Sequence, residues 1–199
     1  MAYSQNNEEA YILNYFKGKT GALLDIGAND GKTFSNSLAL IELGWKAHLV
    51  EPNNEAMILL YERHKDNPNV DCYPVAISTV DGVAELHTNE PHITGDVGLL
   101  STLNEDEKKR WGALPFGKQK VETLSFATFY DLIDKPVLEF ITIDAEGLDL
   151  AILRQIDLTD TQMVCVEHNG KDVDLFTEYC RSYGMQTHHI NSENIIFIR

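Results

Sequence analysis

Four clusters of polar residues stand at the ends of short apolar runs, and their side chains are of the kinds that hold cations and move protons. Asp25, with the glycine-bearing loop Gly27–Gly31, belongs to the first. Glu51 closes the second. Asp144 and Glu146 form the third, and Glu167, His168 and Asn169 the fourth. One acid after a strand is ordinary solubility punctuation. Four acidic clusters at strand ends point to a common site, because ligands of open α/β sheets bind beyond the carboxyl ends of the strands.

The first loop reads Asp-Ile-Gly-Ala-Asn-Asp-Gly. Gly27 and Gly31 let the backbone turn tightly and let a ligand approach closely. A dinucleotide loop of the G-x-G-x-x-G type fits poorly, since Asn29 stands where the second glycine belongs. Asp25 and Asp30 would also repel a pyrophosphate, which needs donors and a positive dipole. The loop better suits a ligand that carries positive charge and no phosphate. An ammonium and a sulfonium both qualify, and S-adenosyl-L-methionine carries both. Glu51 lies 24 positions after Gly27, near the ~20-residue offset at which an acid holds a ribose diol. The third run, ending around Ala76, then borders the adenine.

Group transfer from such a ligand to a protonated acceptor needs that proton removed. His168 is the first candidate base, because an imidazole titrates near neutral pH. Asp144 and Glu146 are the alternatives, or orient that histidine. A metal-assisted route is also open: Asp144, Glu167 and Asn169 offer oxygen ligands suited to Mg²⁺. His188 and His189 are adjacent on a strand and face opposite ways, which argues against joint ligation. His92 reads as a solvated loop histidine, and Trp111 as either a stacking face for substrate or a pin for its loop.

The elements that must position these residues alternate. Apolar runs at Ala22–Ile26, Ala47–Val50, Val70–Ile77, Phe140–Ile143 and Met163–Val166 read as strands. Helical patterns follow several of them: Lys32–Leu43, a helix capped by Asn53 or Asn54 and running to about His64, Leu148–Arg154, and about Val173 to Tyr183. Strand–helix alternation with strands apolar on both faces predicts a doubly wound, mostly parallel α/β sheet. Gln186–Ile190 and Asn194–Ile198 read as a tail hairpin that adds an antiparallel edge. Residues 1–18 read as a helix beside the sheet or a loose arm. Residues 87–121 hold Pro91, Gly95, Gly98, Pro115 and Gly117 and break the alternation; a stretch that long reads as a lid insertion in a single domain of residues 1–199.

Composition sets the outer limits. Lys and Arg number 16 against 31 Asp and Glu in 199 residues, a net charge of −15. That argues against nucleic acid and against anionic membrane as partners. Three widely spaced cysteines suggest neither a disulfide framework nor a cysteine zinc site, and fit a reducing cytoplasm. The amino-terminal residues lack the basic and apolar regions of a signal peptide.

The blocks LLDIGANDGKT, LVEPN, FITIDAEGLDLAIL and VCVEHN, in this order over residues ~20 to ~170, resemble the FkbM-type family of S-adenosylmethionine-dependent (class I) methyltransferases. The resemblance implies a Rossmann-like seven-stranded sheet with an antiparallel C-terminal strand. It implies O-methylation of a hydroxyl on a sugar, glycan or glycosylated small molecule. It places Asp25, Gly27, Asn29 and Gly31 around the methionine side of the cofactor and Glu51 on its ribose. Asp144, Glu146 and Gly147 then form the block beside the methyl group. The sequence departs from the family pattern at Thr142, where Lys is usual, and at Asp149, where Glu is usual. An NAD-linked oxidoreductase and a binding-only relative that keeps the pocket are the other readings. The acceptor's identity and the oligomeric state are not legible.

Overall fold

Residues 3–89, 97–110 and 114–199 are described by the computed structural model of the chain. The elements of the main sheet are β1 (Ala22–Ile26), β2 (Lys46–Val50), β3 (Val70–Tyr73), β7 (Phe140–Ile143), β8 (Met163–Glu167), β9 (Gln186–Ile190) and β10 (Asn194–Ile198). Their order is β3-β2-β1-β7-β8-β10-β9. All pairs from β3 to β8 are parallel, and β10 is antiparallel to both β8 and β9. The fold is therefore the doubly wound α/β sheet expected, with an antiparallel C-terminal strand.

The strands are apolar on both faces because both faces are covered. Leu24, Ile26, Ile141, Ile143, Val164 and Val166 point into one core layer with Phe129 of α5 (Phe126–Leu132) and Phe176 of α7 (Val173–Ser182). Leu23, Ala47, Leu49, Phe140 and Cys165 point into the other, with Ile12 of α1 (Glu8–Tyr15), Phe16, and Leu40 and Ile41 of α2 (Leu38–Glu42). Each Leu, Ile, Val or Phe among them contributes roughly 1.5–3 kcal/mol on burial. Trp45, 1% exposed, closes this layer against Phe16.

The tail hairpin adds the antiparallel edge expected, with β10 between β8 and β9. The Asn-Ile-Ile-Phe segment of β10 is buried whereas β9 is largely exposed, so the apolar strand takes the covered position. Two other expectations are corrected. The third run divides at Pro74 into β3 and β4 (Ala76–Ser78). Proline has no N–H for the ladder, and β4 joins a second, three-stranded sheet of order β4-β6-β5. The helix expected over Lys32–Leu43 shortens to α2. Asp30 accepts from the Lys32 and Thr33 amides at 2.8 and 2.7 Å, and Phe34 has φ 57°, so the first half winds as turns.

The small sheet occupies much of the region where the alternation broke. β5 (Gly82–Asn89) pairs antiparallel with β6 (Phe116–Ser125), and α4 (Glu105–Arg110) lies between them in sequence. The remaining helices are α3 (Asn54–His64) and α6 (Asp149–Leu153). Among the described residues, no helix is long and apolar enough to cross a membrane.

Candidate active site

The tips of β1, β2, β7 and β8 converge on one cavity of about 290 Å³, near the lower end of the ~300–1,000 Å³ of ligand sites. Its floor is a contact between two loops. Gly27, at φ 86°, packs so closely on the β7 tip that a Cβ there would lie 1.8 Å from the Asp144 carbonyl oxygen. The Gly27 and Ala28 amides both donate to the Val50 carbonyl at 2.9 and 3.0 Å, which joins the first loop to β2.

Glu51 is held from two sides. Its Oε2 accepts the Asn29 amide at 2.9 Å and its Oε1 accepts the Asn53 amide at 2.7 Å. Each oxygen keeps a second lone pair for a ligand hydroxyl. Burial raises the Glu51 carboxyl to about 7, against the lowering effect of those two amides. Asn53 also caps α3, its Oδ1 accepting from Glu55 N at 2.9 Å, so one residue starts the helix and fixes the acid. Asp25 lines the cavity and accepts from Ser37 Oγ at 2.5 Å; burial raises its carboxyl to about 6. Ala76 lies at the other end with Ile77, Leu86, Leu100 and Leu103, an apolar slot suited to an aromatic base.

The Asp144-Ala145-Glu146-Gly147 turn is shaped by Asp149, whose two oxygens accept the Ala145 and Gly147 amides at 2.7 and 2.9 Å. Glu146 at φ 47° and Gly147 at φ 98° complete the bend. Asp144 is open to solvent within the cavity, while Glu146 and Glu167 are buried. Burial first, and repulsion by Asp144 second, hold the carboxyls of Glu146 and Glu167 above the usual range. The Asp144 carboxyl, deep in the cavity, is raised too, by desolvation first and by repulsion from Asp149 second.

Not every expected residue faces the cavity. His168 is turned away: its Nδ1 accepts the Gly170 amide at 2.9 Å, so its Nε2 carries the proton and donates to the Asn191 carbonyl at 3.1 Å. Both ring nitrogens are used, and the imidazole is not in the cavity wall. His168 is thus corrected from candidate base to a brace between the β8 tip and the β9–β10 turn. Gly31 is behind the loop; a Cβ there would meet Leu60 of α3 at 2.6 Å, so it serves packing. Asn169 reaches the wall, but its side chain bonds Glu167. His188 and His189 lie on β9 against the Tyr11 ring. His92 and Trp111 lie outside the described residues, as do Pro91 and Gly95.

The strap from Val97 to Arg110, inside the stretch read as a lid insertion, makes contacts that the sequence did not announce. Asn29 Nδ2 donates to the Val97 carbonyl at 3.2 Å and Asn53 Nδ2 to Ser101 Oγ at 3.0 Å. Further on, Thr102 Oγ1 donates to the Glu146 carbonyl at 2.7 Å. Glu107 of α4 seats over Gly147, where a Cβ would lie 2.4 Å from its Cγ. Glu107 pairs with Arg110 at 2.8 Å and with Lys171. The strap therefore bridges the Glu51 side and the Glu146 side. Gln5, Phe34, Asn36, Glu193 and Asn194 also line the cavity and had no distinguishing pattern.

Residues 25–192 match the family model described as the Methyltransferase FkbM domain. No curated protein sequence matches the chain. Among solved structures it is similar to monomeric WbdD, at 12% identity and a TM-score of 0.50 over 99% of this chain and 42% of that one. It is also similar to the METTL16 MTase domain, at 10% identity and a TM-score of 0.50 over 96% of this chain and 79% of that one. At such identities the likeness is one of fold. The chain spans 42% of the length of WbdD.

Proposed function

This chain belongs to the FkbM methyltransferase family, and from that premise we propose that it transfers a methyl group from S-adenosyl-L-methionine to a hydroxyl of a sugar, glycan or glycosylated small molecule. The observation that carries the reading is the sign of the cavity. Six acids line it (Asp25, Glu51, Asp144, Glu146, Glu167 and Glu193), against one described cation, Arg110. A sulfonium or ammonium is attracted there, and a diphosphate repelled, which disfavours an NAD-linked oxidoreductase.

The residues fit the donor. Glu51 would hold the ribose diol through its two free lone pairs, with Ala76, Ile77 and Leu86 against the adenine. Asp25 and the Gly27–Asn29 backbone would border the methionine end, and Asp144 the methyl. S-adenosylmethionine, when bound, would supply a methyl group on a sulfonium, with the neutral thioether of S-adenosylhomocysteine as the leaving group. The protein's part is to orient the acceptor oxygen and take its proton. Asp144 and Glu146 are the groups within the cavity for that proton, since His168 has neither nitrogen free. At the acceptor end, Gln5 and Asn36 offer amides and Phe34 an exposed ring face, a set suited to a polyhydroxylated acceptor.

The acceptor thus conceived is small or carbohydrate, not nucleic acid or membrane, in keeping with the charge of −15. The three cysteines are thiols, which favours the cytoplasm.

Calorimetry with S-adenosylhomocysteine and NAD⁺, followed by a methyl-transfer assay over a sugar panel, tests the proposal. Saturable binding of the first ligand and transfer to a hydroxyl support it. Binding of NAD⁺ alone overturns it, and binding of S-adenosylhomocysteine with no transfer across the panel favours a binding-only relative.

A further inference from the structure

We infer that Asp144, Glu146 and Glu167 form a binding site for a hard divalent cation of the magnesium or manganese kind at the acceptor end of the cavity. The three residues come from the tips of neighbouring parallel strands. Ile143 of β7 is in register with Val166 of β8, so Asp144 and Glu167 emerge side by side, and the bend at Glu146 returns its side chain to them.

One carboxylate oxygen of each residue lies within 4.8 Å of the others. At a metal–oxygen distance of ~2.1 Å the corners of an octahedron are about 3.0 Å apart when adjacent and about 4.2 Å when opposite. The three carboxylates are therefore near enough to close on one ion, with corners left for water or an acceptor oxygen. All three donors are oxygens, the choice of hard cations over zinc or copper.

The second observation is independent of the spacing. Glu146 is 7% exposed, and its Oε2 is sealed from solvent without a hydrogen-bond partner among the described residues. A buried carboxylate oxygen in that condition is costly unless something positive meets it. The nearby protein groups are committed elsewhere. The Ala145 and Gly147 amides go to Asp149, and Lys171 pairs with Glu107. Arg110 also pairs with Glu107 and lowers the Glu146 carboxyl electrostatically, yet Oε2 accepts no hydrogen bond among the described residues. The side chain of Asn169 bonds Glu167, the outer contact that orients a ligating carboxylate. This departs from the expectation that Asn169 would itself be a ligand: Glu146 takes that place. The purpose of the ion, to orient an acceptor hydroxyl and ease loss of its proton, rests on the methyl-transfer reading. The site itself does not.

The test is titration of chelator-stripped full-length chain with Mn²⁺, read by electron paramagnetic resonance and by melting temperature. One saturable site is expected, displaced by excess Mg²⁺, with the melting temperature rising as Mn²⁺ is added. Glu146→Gln and Glu167→Gln should each weaken Mn²⁺ binding at least tenfold. Both should melt no lower than the parent without metal, because each removes a like-charge contact. If either fails to fold, Asp144→Asn, at the solvent-accessible member, gives the same reading. Absence of saturable Mn²⁺ binding up to millimolar concentration, or binding that these substitutions leave unchanged, overturns the site and assigns the cluster to shared protons. S-adenosylhomocysteine binding on the same samples is read separately: its absence beside an intact Mn²⁺ site counts against the proposed function and not against the ion.

Discussion

The Glu51 carboxylate accepts the Asn29 amide at 2.9 Å, so the tip of the second strand and the loop after the first are one rigid piece. Glu51→Ala removes both a ligand acceptor and this tie. S-adenosylhomocysteine affinity should fall more than tenfold, at least about 1.4 kcal/mol. Calorimetry checks it; unchanged affinity removes Glu51 from the ribose.

Stability should depend on pH in a direction set by two buried acids. Burial raises the Asp25 carboxyl from 3.8 to about 6 and that of Glu51 from 4.5 to about 7. The folded state thus holds protons that the unfolded chain releases at lower pH, and stability declines as pH rises through this window. The ligand-free melting temperature should fall between pH 5 and 7.5, and Glu51→Gln should flatten the decline. A profile that rises over that range contradicts the assignment.

Gly27→Ala should be severely destabilising. The added Cβ would sit 1.8 Å from the Asp144 carbonyl oxygen, at a φ of 86° that L residues rarely adopt. Overpacking and backbone strain together should cost more than about 2 kcal/mol, read by urea unfolding. Near-parental stability would mean that the two loops are not in contact.

His168→Ala should act on stability and spare the chemistry. It strands the Gly170 amide and the Asn191 carbonyl, which should cost about 1–3 kcal/mol. Cofactor affinity should stay within twofold and turnover within a few-fold, below the variant's melting temperature. A hundredfold loss of turnover at unchanged stability would return His168 to the role of base.

Asp149→Asn should weaken the turn that carries Glu146. An amide cannot accept from both the Ala145 and Gly147 backbone groups, as the carboxylate does. A loss of about 1–2 kcal/mol in denaturant unfolding is expected; none would mean that the bend holds without it.

Much of this protein was settled by local rules legible along the chain. Runs of apolar residues on both faces demand a covered parallel sheet, and an acid or glycine at each run's end marks where the strands stop, which is why Asp25, Gly27, Glu51, Asp144 and Glu167 could be named in advance. The helix cap was legible as Asn53 or Asn54, and the structure chose Asn53. What needed the tertiary structure were matters of direction and of distant partners. Strand-end position does not say which way a side chain turns, and His168 faces a carbonyl 23 residues away while its neighbours Glu167 and Asn169 reach the cavity wall. The order of the last two strands depended on which one buries more apolar surface. The Val97–Arg110 strap carries no period of its own, because its contacts are to Asn29, Asn53 and Gly147 and not to its sequence neighbours. The meeting of Glu146 with Asp144 and Glu167 came from one backbone bend at φ 47°, a conformation that residue type alone does not announce.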